Sequence, residues 1–232
     1  MKKLSEILKG FSFALCAVFF LFLSVTAFSN EISSVKIGAK EFLLPLPDGV
    51  CEASESSWGM NYIQFLNNLS ASAGGDSVIL NVFRDCGSLK SKEHGRYPAL
   101  WGYLAFDRSV GKVWLGQGAL NRRLRKTLSN ESANDAGTQL KNLTDRSLKK
   151  MKASMRIGEI KVICDPVETM RGFMSCGLTR LVTASGHQDV YLVSVIFLRN
   201  REILTLTLYR NATGLIDLDG LVSAGKKYLA AL

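Results

Sequence analysis

The first 29 residues constrain this chain more than any other segment. Lys2, Lys3 and Lys9 open it, an apolar run follows from Phe11 to Phe28, and small residues close it. Ala27 and Ser29 stand at the −3 and −1 positions of a cleavage before Asn30, and a cut after Ala27 is the alternative. A charged start, an apolar middle and a small-residue exit form the pattern of a secretory leader. An uncleaved anchor competes with that reading, because the apolar run approaches the ~20 residues that span a bilayer. Ser24, Thr26 and Ser29 soften the end of the run and favour cleavage. The expected organisation is a leader over 1–29 and one folded domain over 30–232, with no transmembrane span in the mature part. The expected location is the periplasm or the outside of the cell.

An oxidising destination changes how the cysteines are read. Cys16 leaves with the leader, while Cys51, Cys86, Cys164 and Cys176 remain, and four thiols admit three pairings. A strand predicted over 158–164 ends at Cys164, and the next, over 172–183, holds Cys176. The connection between them carries Pro166 near its start, as a turn does. Adjacent antiparallel strands bring facing residues within bridging distance, so Cys164–Cys176 is expected, leaving Cys51–Cys86. No C-x-x-C occurs, which argues against a thiol redox centre.

Periodicity supplies the elements. Val35-Lys36-Ile37 and Phe42-Leu43-Leu44 flank Gly38-Ala39-Lys40 as a short hairpin, broken by Pro45-Leu46-Pro47-Asp48-Gly49. Trp58, Tyr62, Phe65, Leu66 and Leu69 recur at helical spacing, so a helix is expected over about 56–72. Strands are expected over 77–84 and 99–108, with Val113-Trp114-Leu115 extending the second or starting another. Leu140, Leu143, Leu148, Met151 and Met155 predict a helix over about 134–156. Residues 158–164, 172–183, 190–199 and 202–209 read as four consecutive antiparallel strands, joined through Ser185-Gly186-His187-Gln188 and Asn200-Arg201. Leu218, Leu221, Val222 and Leu229 stripe a C-terminal helix. Strands joined by short hairpins and interleaved with helices predict an α+β fold, an antiparallel sheet packed with helices in an α/β/α-type sandwich.

The hairpin running into Phe42-Leu43-Leu44-Pro45-Leu46-Pro47-Asp48-Gly49 resembles the start of Mog1/PsbP-like domains. The closing hairpin over 190–209 and its terminal helix are similar to theirs as well. The resemblance covers about a third of the mature chain. It implies an α/β/α sandwich of the kind found in accessory and binding proteins of membranes and envelopes. It carries no catalytic residues to transfer, and the cysteine pairs lie outside its pattern.

Chemistry-bearing motifs are sparse. Ser185, His187 and Asp189 have the composition of a nucleophile, base and orienter. Triads, however, are assembled from separate elements, so a plain turn is the expected reading. His94 reads as a solvated loop residue, and no metalloprotease, nucleophile-elbow or phosphate-loop signature is present. Asp217-Leu218-Asp219-Gly220 lacks the remaining ligands of a calcium loop and suits a helix start. No catalytic residue, metal or cofactor is therefore expected.

The chain carries 29 Lys and Arg against 20 Asp and Glu; losing the leader removes three lysines and one glutamate and leaves about +7. Arg122, Arg123, Arg125 and Lys126, followed by Lys149 and Lys150, form the basic region. A solvated face is the plain reading of such a run. The functional reading is contact with an anionic envelope component or an acidic protein. Nucleic acid is disfavoured by export and by the lack of aromatic interleaving. The leading expectation is an exported, non-catalytic accessory protein. A secreted hydrolase would need a pocket bringing His94 or His187 beside an acid and a nucleophile. A factor acting on another cell is the third reading.

Overall fold

The computed structural model describes residues 32–47, 49–72, 76–90, 99–108, 113–129, 156–158, 160–183 and 186–232. Ile32–Leu232 form one compact unit. The strands are β1 (Ile32–Ile37), β2 (Lys40–Pro45), β3 (Val50–Glu52), β4 (Ser77–Asp85), β5 (Leu100–Asp107), β6 (Arg156–Ile157), β7 (Lys161–Val162), β8 (Val167–Glu168), β9 (Phe173–Thr183), β10 (Gly186–Arg199) and β11 (Glu202–Asn211). The helices are α1 (Ser57–Ser72), α2 (Cys86–Lys90), α3 (Gln117–Ser129) and α4 (Leu215–Ala231). β1 and β2 form a separate hairpin. The large sheet runs β3-β4-β5-β11-β10-β9-β6, with β7 and β8 also paired to β9, and each of these pairings is antiparallel. The α+β class read from the sequence is the class observed.

Period-two alternation explains the sheet. In β11, Leu204, Leu206 and Leu208 are buried on one face, and Val193, Val195 and Phe197 of β10 join them. α4 covers that face with Leu221, Ala224, Tyr228 and Leu229, and the β1–β2 hairpin adds Val35, Phe42 and Leu44. Gly225 permits the close approach of α4, since a Cβ there would lie 2.6 Å from Val193 and 2.8 Å from Met174. The other face is covered at β4–β5 by α1, whose Trp58, Tyr62, Ile63 and Leu66 pack on Ile79, Val82 and Ala105. A register shift between Ile79 and Asn81 makes Leu80 an extra residue of β4; Ile79 and Val82 belong to this core, while Leu80 and Phe83 pack in the other. The Ser56 hydroxyl caps α1 by accepting the Gly59 amide at 3.0 Å.

The structure corrects several expectations. The strand expected over 158–164 is interrupted, and the connection after it contains β8. From Ile157 opposite Leu181 to Lys161 opposite Leu178, the edge advances four residues against three on β9. From Val162 opposite Gly177 to Val167 opposite Met174 it advances five against three. The surplus residues bulge out, which blunts the edge of the sheet. The turn is confined to 169–172, where the Thr169 hydroxyl accepts the Arg171 and Gly172 amides. His187 and Gln188 belong to β10 and not to a join, because pairing continues to Gly186 opposite Thr183. Val113-Trp114-Leu115 forms no strand: Val113 donates its amide to the Arg201 carbonyl, and the chain then enters α3. The helix expected over 134–156 lies outside the described residues up to 155, and Arg156 stands in β6.

Disulfides join Cys51 to Cys86 and Cys164 to Cys176, with Cα separations of 5.0 and 5.6 Å. The second fastens the interrupted edge to β9, where Ile163 also donates its amide to the Cys176 carbonyl at 3.1 Å. Two-residue ladders hold little by themselves, so this link is a main tether of the edge.

Leu206→Ala should lower unfolding free energy by about 2–5 kcal/mol, whereas Ile216→Ala, at an 87% exposed position, should stay within about 0.5 kcal/mol. Denaturant titration of both variants checks this. Replacing Cys164 and Cys176 together by Ser should cost about 2–4 kcal/mol and accelerate hydrogen exchange at the Ile163 amide. Unchanged exchange there would show that the edge holds without the bridge.

Candidate functional site

The basic residues at 122–126 sit on α3, a helix that the sequence analysis did not assign. The signal was present: Leu120, Leu124 and Leu128 recur every fourth residue. Leu120 and Asn121 are buried, while Arg122, Arg123, Arg125 and Lys126 are exposed. The helix has no acidic residue in its sequence, QGALNRRLRKTLS.

Two amides dock the inner face of α3. Gln117 accepts the Leu198 backbone amide through Oε1 at 2.8 Å and donates through Nε2 to Asn121 Oδ1 at 2.7 Å. Asn121 in turn donates through Nδ2 to the Thr169 carbonyl at 2.9 Å and the Gly172 carbonyl at 3.4 Å. These bonds tie α3 to β10 and to the turn before β9. Arg125 is drawn to one side by an ion pair with Glu168 at 2.5 Å. Arg122 and Arg123 have no ion pair among the described residues and face outward. Lys149 and Lys150 lie outside the described residues.

Beside α3, Arg125, Leu128, Val162, Ile163, Cys164, Asp165 and Pro166 line an open groove of about 780 Å³. Arg125 and Asp165 are its charged groups, and Val162 and Ile163 expose apolar surface into solvent.

The residues considered for catalysis do not assemble. Asp189 lies opposite Arg180 in the β9–β10 ladder and accepts from both Nε and Nη2, at 2.6 and 3.0 Å. That hydrogen-bonded guanidinium holds the Asp189 carboxyl below its ordinary range. His187 is exposed on β10, and Ser185 and His94 lie outside the described residues. Burial, with Tyr103 close by, pushes the Tyr209 hydroxyl well above its ordinary range, so it stays neutral. Among the described residues, no three metal-ligating side chains converge. Asp217 accepts the Thr213 amide and hydroxyl and pairs with Arg210 at 3.3 Å, which gives it a structural part at the start of α4. Among the described residues no helix is long and apolar enough to cross a membrane.

A scan of protein-family models finds no match, and neither does a search of curated proteins. Among solved structures, the chain is similar to the cyanobacterial PsbP (CyanoP) of Synechocystis sp. PCC 6803. That likeness has 12% identity and a TM-score of 0.36, over 89% of this chain and 94% of that one. The Ran-binding protein Mog1p of Saccharomyces cerevisiae is similar at 11% identity and a TM-score of 0.31, over 88% and 93% of the two chains. These two structures are of the Mog1/PsbP-like kind that the opening and closing segments resemble. The fold class itself rests on the strand order above.

Asp189 also yields a sign-determined prediction. Its folded-state pKa is depressed, so its contribution to stability is present above the ordinary carboxylate pKa near 4 and fades as pH falls through the lower folded value. The stability difference between native chain and Asp189→Asn should therefore be open at neutral pH and close in acid. A difference that widened in acid would contradict the ion pair.

Proposed function

We propose that this chain is an exported, non-catalytic accessory protein of the cell envelope, which presents the outer face of α3 to an anionic partner. The observation that carries this reading is the contrast between the two faces of that helix. Gln117 and Asn121 are spent on docking, while Arg122 and Arg123 project outward beside Lys126. A cationic face on a docked helix loses less freedom on binding than one on a mobile loop. The acid-free sequence of α3 leaves the outer face no carboxylate of its own helix to neutralise it. Two disulfides suit a chain that works in an oxidising compartment. The groups on the described surface offer recognition by charge and hydrogen bonding and no assembled nucleophile, base and oxyanion site.

Immobilised heparin, used as a polyanion, tests the reading. Arg122→Glu with Arg123→Glu should elute at clearly lower salt than the native chain. Lys36→Glu with Lys40→Glu changes net charge equally at the exposed β1–β2 turn and should shift elution much less. Equal shifts from the two pairs would assign binding to overall charge and overturn the role of α3.

A further inference from the structure

The end of the sheet next to α3 carries a feature that the anionic-partner reading leaves unused. Asn200 and Arg201 form the two-residue turn between β10 and β11, with φ of 49° and 71°. Both central residues of such a turn need positive φ, and the second is most easily glycine. A bulky side chain there is held at a conformational cost, which points to a use for that side chain. Its guanidinium lies over the Trp114 ring, 3.8 Å from the centroid, and its carbonyl accepts the Val113 amide at 2.9 Å. Trp114 is nevertheless 81% exposed. The stacking fixes the ring without burying it.

A second apolar tip stands at the same end. β9 and β10 run antiparallel with Phe173 opposite Ile196, so the 169–172 turn and the 200–201 turn close the same end of the sheet. Met170, in the first of these turns, is 85% exposed. Asn121 of α3 holds that turn through Thr169, and Gln117 holds β10 beside the other. Trp114, Met170 and the start of α3 therefore share one end. Arg122 and Arg123 follow within about 10 Å of the first residue of the helix, at 1.5 Å rise per residue. Carboxylates near this end include Glu168, held by Arg125, Asp165 in the groove beside α3, and half-buried Glu202.

We infer that this end is an interfacial anchor for an anionic phospholipid surface, in which Trp114 and Met170 enter the headgroup layer while Arg201, Arg122 and Arg123 meet lipid phosphates. The inference rests on the proposed anionic partner and names its class. An indole has an apolar body and a polar N–H, which suits the boundary between headgroups and acyl chains. Guanidinium groups pair bidentately with phosphate. Two exposed apolar side chains at one end of the sheet, one of them under a guanidinium and both at the end where cationic α3 begins, match a flat, deformable, negatively charged layer. Trp and Met also anchor protein interfaces, so the vesicle experiment is what separates a lipid surface from an acidic protein.

Tryptophan emission tests this directly, using the chain from Asn30 onward, which holds the compact unit Ile32–Leu232 without the apolar run at 11–28, and two kinds of vesicle. One is made of equal parts phosphatidylglycerol and phosphatidylcholine, the other of phosphatidylcholine alone. The chain has three tryptophans, Trp58, Trp101 and Trp114, and residues 1–31 contain none. Anionic vesicles should shift emission to the blue and shield it from acrylamide. Neutral vesicles should do neither, and Trp114→Phe should abolish the shift. Trp114→Ala should weaken binding to the anionic vesicles about tenfold without changing heparin elution. Binding with unshifted Trp114 emission would overturn the anchor while leaving the α3 reading intact. No vesicle binding, with heparin elution still dependent on Arg122 and Arg123, would overturn the phospholipid and point to an acidic protein. Loss of the heparin dependence as well would overturn both.

Discussion

The antiparallel ladder of β9, β10 and β11 is the constraint from which the rest of the fold follows. It places Met174, Cys176, Val193, Val195, Phe197, Leu204, Leu206 and Leu208 on one face, and α4 and the β1–β2 hairpin close over them. Once that face is committed, the register is committed too, because a slip of one residue would turn every apolar side chain toward the other face. Both turns at the anchor end take their positions from this ladder. So does the docking of α3, whose amides bond to β10 and to the turn that opens β9.

Polar groups add direction to that apolar frame. Gln117 and Asn121 bond backbone groups near the end of the sheet, and in doing so they orient a helix whose far side is cationic. Asp189 and Asp217 show the opposite outcome for charge: each is engaged by a nearby arginine and a local hydrogen-bonding pattern, and each serves the fold. The contrast between cations spent on the structure and cations left facing outward is what separates Arg125 and Arg180 from Arg122 and Arg123.

Much of the element content was legible from period alone. Ser57–Ser72 and Leu215–Ala231 follow helical stripes, and the alternation in 203–208 is that of a strand buried on one face. What was missed has a common cause. α3 has a narrow leucine stripe among four cations and reads as polar until the stripe is counted. The edge along β9 reads as one strand because bulges leave no mark in composition; they arise where surplus residues must be fitted against a fixed partner. His187 was placed in a turn because glycine beside polar residues signals one, whereas the long pairing partner in β9 carries the strand through Gly186.

By itself the sequence determined the local periods, the α+β class and the four cysteines at 51, 86, 164 and 176. Those properties depend on residues within a few positions of one another or on composition. Tertiary structure alone decided that β5 lies beside β11, that Gln117 meets Leu198 across 81 positions and Asn121 meets Thr169 across 48, and that Arg201 stacks on Trp114. Contacts of that range depend on how the strands order themselves to bury two faces at once, and no local pattern in the chain encodes that order.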